Sequence, residues 1–248
     1  SVSKFVTGLG TRVLLGIPYL WLLLFFLVPF LIVLKISFAE SVMARPPFTD
    51  LASFEDSMLT LSLNLFNYID LYEYDLYLSG FLGSLKIATI STLGCLLIGY
   101  PMAYAIAKLP PHSRNLALML VILPSWTSFL IRVYAWIGLL KGNGLINNAL
   151  MSMGIIDQPL AMLHTPFAVY VGIIYAYLPF MILPIYTNLV KHDSSLLEAA
   201  SDLGASPMTS FFRVTLPLSI SGIVAGSMLV FIPSMGEFVI PELLGGPD

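Results

Sequence analysis

The sequence predicts an all-helical membrane protein, and three observations favour this fold class. First, 58% of the 248 residues are hydrophobic and only 10% are charged, whereas about 25% of the residues of a soluble domain are charged. Second, the mean hydropathy of +0.90 arises from several separate apolar stretches. Third, five stretches are long enough to cross a bilayer as helices, which takes about 20 residues each. This composition argues against a water-soluble enzyme.

The five predicted spans follow one another along the chain. The first is a retained helix rather than a signal peptide, because it is too long, lacks a small-residue cleavage site and contains Pro18 and Pro29. Prolines also interrupt the four later spans, which predicts either simple kinks or unwound turns near a transport pathway. These prolines are Pro101, Pro124, Pro179, Pro184 and Pro233. The spans are 13–37, 84–107, 116–140, 167–190 and 218–240.

Basic residues in the loops predict the orientation of the spans. Six of them fall on one side, namely Lys4, Arg12, Lys108, Arg114, Lys191 and Arg213, and two fall on the other, Arg45 and Lys141. Because cytoplasmic loops are enriched in Lys and Arg, the first side is predicted to be cytoplasmic and the N-terminus with it. The outer loop 38–83 holds seven acidic residues and one basic residue. We interpret it either as a solvated, partly helical loop or as a surface that attracts cations.

The cytoplasmic loop 191–217 has a pattern of its own. Ser195 and Glu198 have the spacing of a capping box, so a short helix is expected to begin at Ser195. Gly204 is suited to the left-handed conformation that ends such a helix. Ser206 and Pro207 are typical of the start of a second helix, which Leu216-Pro217 is expected to end. The loop is therefore predicted to form two short helices with a tight bend at the membrane surface.

The same residues carry a family resemblance. Glu198-Ala199-Ala200, three residues, Gly204, nine residues, Val214, one residue and Leu216-Pro217 resemble the EAA signature of the permease subunits of binding-protein-dependent ABC importers. Val214 stands where that signature usually has Ile. The resemblance implies a type I ABC importer permease fold and a coupling helix that docks on a cytoplasmic ATPase. Its coupling residues would be Glu198, Ala199, Ala200 and Gly204. The alternative is that Glu198 and Gly204 only cap a helix.

Two further segments narrow the resemblance. Residues 120–136 and 236–246 are similar to the polyamine branch of that family, and most of all to its putrescine permease subunits. The resemblance implies one transmembrane domain over 1–248, with a sixth span expected in the full-length protein, in a bacterial inner membrane. It also implies a second permease subunit, two ATPase subunits that hold ATP and Mg, and a periplasmic polyamine-binding protein. This chain would hold no cofactor and would catalyse no reaction.

Two ionisable residues, Arg132 and Glu237, lie well inside predicted spans and in their outer halves. Charges at such depth are costly and usually functional. One interpretation is a buried ion pair between them, because an unpaired buried charge is expensive. The other is that Glu237 faces the transport pathway and binds an ammonium group of the substrate.

Aromatic residues in the spans are candidates for the same pathway, because their faces attract cations. With Glu237, the candidates are Trp126, Tyr134, Trp136, Tyr175 and Tyr177. The alternative for each aromatic residue is a lipid-facing or interfacial position. Gly222 and Gly226, four residues apart, are interpreted as a helix-packing face.

Other functions lack their motifs. The sequence contains no phosphate-binding loop ending in Gly-Lys-Ser/Thr, and its three histidines fall in three different loops without metal-ligand spacing. A net charge of −3 without a basic block argues against nucleic acid as a partner. Three alternatives stay open: an importer permease for another small solute, an ion-coupled secondary transporter, and a membrane scaffold without transport activity.

Overall fold

The computed structural model describes residues 14–40, 42, 48–49, 52–55, 58–61, 64–193 and 195–246. It divides into two compact units, Ser1–Gly80 and Phe81–Asp248. Within the described residues, four helices are long and apolar enough to cross a membrane, or five if a helix pair bent by 60° counts as one span. The upper count agrees with the number of predicted spans, although some of the predicted bounds differ. Three of the basic residues on which the predicted orientation depends, Lys4, Arg12 and Arg45, lie outside the described residues.

The first unit begins with helix α1, Leu14–Ser37. An antiparallel hairpin of β1, Ala52–Glu55, and β2, Met58–Leu61, follows, and then helix α2, Phe66–Glu73. The Asn67 amide donates hydrogen bonds to the carbonyl oxygens of Ser37 and Ala39, so it ties α2 to the end of α1. The hairpin departs from the all-helical prediction, while α2 confirms that the segment 38–83 is partly helical.

Helix α3, Asp75–Lys108, is the longest in the described part of the chain, at 34 residues. Its end agrees with the predicted span 84–107, but it begins nine residues earlier. Asp75 lies in its first turn, where a carboxylate interacts favourably with the helix dipole. The predicted span covered about the 20 residues that crossing a bilayer requires, so it left out the first nine residues of α3, which include four exposed Leu and Phe side chains.

The predicted continuous span 116–140 is wrong, because the chain forms two helices there. Helix α4 is Pro111–Ile122, a 3-10 turn covers Leu123–Trp126, and helix α5 is Phe129–Leu140. Pro124 lies in the turn and Thr127 after it has extended backbone, so the unwound alternative applies at this proline. The helix that passes the length test for a span here is Phe129–Ser152, which joins α5 to helix α6, Leu145–Ser152.

Helix α7, Pro166–Leu189, agrees with the predicted span 167–190 and forms the centre of the second unit. Its Ile173, Met181, Ile182 and Ile185 side chains are fully buried. Both of its internal prolines are accommodated within the helix, so they produce at most simple kinks.

Residues 195–246 contain four helices: α8, Ser195–Asp202, α9, Pro207–Leu218, α10, Ile220–Met235, and α11, Val239–Leu244. The predicted helix end at Leu216-Pro217 is one residue short, because α9 ends at Leu218. Pro217 lies in the last turn of α9, and the chain bends by 60° between α9 and α10. The predicted span 218–240 is also interrupted, because α10 ends at Met235 and α11 begins only at Val239.

Glycines allow α10 to pack closely against α7. A Cβ atom on Gly222 would lie 2.8 Å from Asn188 Cβ and 3.0 Å from the Pro184 carbonyl oxygen, and one on Gly226 would lie 3.0 Å from the Met181 carbonyl oxygen. Side chains at these two positions would force the helices apart. The predicted packing face is confirmed.

Candidate functional site

The end of α8 has the geometry that the sequence predicts. Gly204 takes a left-handed backbone conformation with φ of +79°. The Ala205 amide donates to the Ala200 carbonyl oxygen at 3.0 Å, and the Gly204 amide donates to the Ser201 carbonyl oxygen at 2.9 Å. These two bonds form a Schellman motif, which satisfies the last helical carbonyl groups. Gly204 therefore turns the chain sharply out of α8.

The start of α9 is also confirmed. The Ser206 hydroxyl accepts a hydrogen bond from the Thr209 amide, and Pro207 occupies the first turn. We name Ser195–Leu218 the coupling segment, since it consists of α8, the Gly204 turn and α9.

The predicted capping box at the start of α8 is wrong. The Ser195 amide donates to Asp193 Oδ1 at 3.0 Å, so Asp193 satisfies the group that Glu198 was expected to reach. This hydrogen bond holds the pKa of the Asp193 carboxyl below its usual value, because it favours the charged form. Glu198 makes no such bond within the described residues, and its side chain is exposed.

The outer surface of the coupling segment carries apolar side chains that sequence reasoning missed. Leu203 is 89% exposed and Met208 is 67% exposed, while Ala199 beside them is exposed as well. Leu203 lies four residues after Ala199, a spacing that places both on one helical face and that the sequence already contained. The exposed surface around Glu198 is therefore partly apolar.

Glu237 lies in the break between α10 and α11 rather than inside a helix. Its Oε2 accepts a hydrogen bond of 2.7 Å from the Tyr177 hydroxyl. Its Oε1 accepts bonds from the backbone amides of Val239 at 3.0 Å and Ile240 at 3.4 Å. The carboxylate therefore joins the middle of α7 to the first turn of α11.

Arg132 and Glu237 do not form the predicted ion pair in this structure. The Glu237 carboxylate is bonded to Tyr177, Val239 and Ile240 instead. The Nε–H of Arg132 is buried without an acceptor among the described residues. Its guanidinium lies 5.8 Å from the centre of the Phe129 ring and borders a mostly apolar cavity of about 440 Å³. The cavity wall also includes Pro124, Tyr175 and Pro179.

The aromatic candidates fall into three groups. Trp136 and Tyr175 form an edge-to-face pair with ring centres 5.5 Å apart, and Tyr177 contacts Glu237. Trp126, in the 3-10 turn, is 73% exposed, and Tyr134, on α5, is 59% exposed. This exposure is compatible with the lipid-facing alternative for both residues. The structure thus brings together two pairs among the six candidates rather than one continuous site.

Among the described residues, no three His, Cys, Asp or Glu side chains are arranged to hold a metal ion.

Comparisons with known proteins place the chain in a family. Residues 95–248 match the family described as "Binding-protein-dependent transport system inner membrane component". The chain is 42% identical over 243 residues to the spermidine/putrescine transport system permease protein PotB of Haemophilus influenzae, a match that covers 98% of this chain and 80% of the relative. It is 43% identical over 226 residues to PotB of Escherichia coli, covering 91% of this chain and 78% of the relative.

A solved structure has the same fold. It is the crystal structure of a bacterial ABC transporter involved in the import of the acidic polysaccharide alginate, and it superimposes with a TM-score of 0.65. The alignment covers 98% of this chain and 81% of the matched one at 19% sequence identity. The type I permease fold implied by the EAA resemblance is thereby confirmed. The chain belongs to the family of inner membrane components of binding-protein-dependent transport systems.

Proposed function

We propose that this chain is a membrane-spanning subunit of an ATP-driven importer that carries polyamines into the cytoplasm, with putrescine preferred and spermidine next. The observation that carries the proposal is the 42% identity, over 98% of the chain, to a spermidine/putrescine permease. The similarity of 120–136 and 236–246 to putrescine permeases supports the preference for putrescine. As a permease component, the chain itself is not an enzyme.

The chemistry of the second unit supports a cationic substrate. Polyamines carry ammonium groups separated by methylene spacers, so they suit a pathway with a carboxylate and several aromatic faces. Glu237, next to Tyr177, supplies the carboxylate, and the Trp136–Tyr175 pair supplies aromatic faces. In this proposal the Glu237 carboxylate exchanges a hydrogen bond with the protein for one with the substrate during transport.

The coupling segment supports an ATP-driven mechanism. Glu198, Ala199, Ala200 and Gly204 would dock on a cytoplasmic ATPase, whose subunits would bind ATP and Mg. Closure of the ATPase pair would displace α8 and α9 and switch the membrane path between outward and inward access. A second permease subunit and a periplasmic polyamine-binding protein would complete the importer.

Reconstituted transport tests this function. The chain is assembled with its second permease subunit and ATPase in proteoliposomes, with the binding protein on the outside and ATP inside. We expect ATP-dependent uptake of radiolabelled putrescine and less uptake of spermidine. Uptake of 2-aminoethylphosphonate, a small amine that also carries an anionic phosphonate group, should be low. Uptake that needs an ion gradient rather than ATP would contradict the mechanism, and stronger uptake of the phosphonate would contradict the substrate.

Orientation is a separate part of the proposal, with the N-terminus and the coupling segment in the cytoplasm. Cys95 is the single cysteine of the chain, so replacing it with Ala gives a cysteine-free background. A cysteine introduced at Ser201 should then be shielded from an impermeant maleimide in intact spheroplasts, while one at Gly142 should react. The opposite pattern would reverse the topology.

A further inference from the structure

A hydrogen bond sits at the bend between the coupling segment and α10. The Tyr100 hydroxyl of α3 lies 2.9 Å from Ser219 Oγ, and the Ser219 hydroxyl donates to the Leu216 carbonyl oxygen at 2.9 Å. A serine hydroxyl has one proton, so Tyr100 must donate to Ser219. Ser219 is fully buried and Tyr100 nearly so. This chain of two bonds joins α3 to the point where the helix axis turns by 60°.

Aromatic contacts extend the same connection toward the cytoplasmic end of α3. Phe211 of α9 meets the Tyr100 ring edge-to-face at 5.9 Å and the Tyr104 ring at 5.4 Å. Lys108 Nζ lies 4.2 Å from the centre of the Tyr104 ring. Tyr100, Tyr104 and Lys108 are spaced by four residues and therefore share one face of α3. That face is the side of α3 that holds α9.

The backbone of α9 explains why the bend needs support from α3. Phe211–Thr215 forms a π-helical turn, a rare geometry that concentrates at functional sites. After it, the Ser219 amide is shared between the carbonyl oxygens of Thr215 and Leu216, at 3.0 and 3.1 Å. Local backbone bonds are thus irregular from Phe211 to the bend. The bond from Tyr100 to Ser219 is a tertiary contact that fixes the angle there.

We infer that Tyr100 is a positioning residue for energy coupling: it holds the bend at Ser219, so that displacement of the coupling segment moves α3 and α10 together. This inference rests on the proposed ATP-driven function. Without the Tyr100–Ser219 bond, part of the displacement would be absorbed by a change of angle at the bend. ATP would then be hydrolysed with less substrate transported.

The test compares two tyrosines in the reconstituted importer. Tyr100→Phe keeps the ring contact with Phe211 and removes the hydroxyl that donates to Ser219. Tyr104→Phe is the matched control, since its ring also meets Phe211 edge-to-face but its hydroxyl has no recorded hydrogen bond among the described residues. We expect Tyr100→Phe to lower the putrescine transported per ATP by roughly fivefold, the equivalent of one neutral hydrogen bond. Tyr104→Phe should leave this ratio unchanged.

Ser219→Ala tests the other end of the bond and gives an answer even if Tyr100→Phe assembles poorly. It should lower the ratio by a similar factor, and the double variant should be no worse than either single one, because both remove the same bond. A role in stability alone would lower the melting temperature and leave the transport-to-ATP ratio at the wild-type value, which would overturn the inference. If the importer proposal itself fails, the wild-type complex shows no ATP-dependent uptake at all, so the two failures are distinguishable.

Discussion

The Tyr177 hydroxyl donates a hydrogen bond of 2.7 Å to Glu237, and it thereby joins the middle of α7 to the break between α10 and α11. Glu237 also accepts two backbone amide bonds from the first turn of α11. A carboxylate suits this position, because the N-terminus of a helix carries partial positive charge. The same negative charge is what a substrate ammonium would require, so the residue can be tested for both roles.

Glu237→Gln separates these two roles. Glutamine retains a carbonyl oxygen that can accept from Val239, but it removes the charge. If Glu237 binds the substrate, the KM for putrescine uptake should rise by roughly tenfold or more, with a smaller change in the maximal rate. This factor corresponds to the loss of one hydrogen bond to a charged group. Uptake measured over a range of putrescine concentrations, with saturating binding protein, gives both parameters.

Glu242→Gln is the matched control for that experiment. Glu242 is an exposed acid in α11, five residues away, so its neutralisation changes the net charge equally without touching the break. Its KM should equal that of the wild type. An unchanged KM in Glu237→Gln would remove Glu237 from the pathway and leave it the structural role alone.

The features that sequence predicted well are those set by neighbouring residues. The turn at Gly204 depends on the ability of one glycine to adopt positive φ, and the cap at Ser206 depends on a residue three positions on. In each case the physical cause lies within a few residues, so the local pattern was sufficient.

Features that depend on distant contacts could not be predicted in this way. The Ser195 amide had two acidic residues within reach, Asp193 and Glu198, and the backbone path decided between them. Pairing Arg132 with Glu237 assumed that opposite charges in the outer halves of the third and fifth predicted spans meet, yet Glu237 lies outside the helix and is bonded to Tyr177. A length criterion of about 20 apolar residues also cannot show that a helix is longer than a bilayer requires, which is why the prediction missed the first nine residues of α3.

Gly204→Ala should impair coupling. Left-handed backbone costs a residue with a Cβ atom roughly 1 kcal/mol, and a cost of this size at Gly204 would loosen the Schellman turn between α8 and α9. We expect binding-protein-stimulated ATPase activity and putrescine uptake both to decrease several-fold in the reconstituted importer. A larger side chain such as leucine should reduce them further.

Gly154→Ala is the control for Gly204→Ala, because it introduces a similar backbone strain outside the coupling segment. Gly154 has φ of +69° and, like Gly204, has no atom within 4 Å of an added Cβ, but it follows α6, outside the coupling segment. It should lower thermal stability to a comparable extent with normal coupling. Wild-type ATPase activity and uptake in Gly204→Ala would contradict the coupling assignment.

Gly222→Ala should destabilise the packing of α10 on α7. The new methyl group would meet the Pro184 carbonyl oxygen at 3.0 Å and Ile185 Cα at 3.1 Å, and backbone atoms cannot turn aside as a flexible side chain can. Overpacking of this kind typically costs about 1–3 kcal/mol. Thermal unfolding of the purified chain in one detergent should show a lower melting temperature.

Gly83→Ala supplies the comparison for Gly222→Ala. Gly83 is also a helical glycine, in α3, but an added Cβ would meet nothing within 4 Å. Alanine favours helix over glycine by about 1 kcal/mol, so this variant should unfold at the wild-type temperature or above it. Equal melting temperatures for the two variants would show that α7 and α10 do not pack as closely as the structure indicates.

The lowered pKa of Asp193 predicts that the stability of the protein decreases at acidic pH. Its carboxyl accepts the Ser195 amide bond, which lowers its pKa in the folded protein below the ordinary 3.8. A lowered folded-state pKa contributes stability above the unfolded pKa, and this contribution is lost as pH falls through the folded value. The melting temperature of the wild type relative to Asp193→Asn should therefore be constant from pH 7 to about 5 and should fall below pH 3.8. Because asparagine does not titrate, the comparison cancels the other acidic groups, and a difference independent of pH down to 3 would show that the carboxylate charge does not stabilise the start of α8.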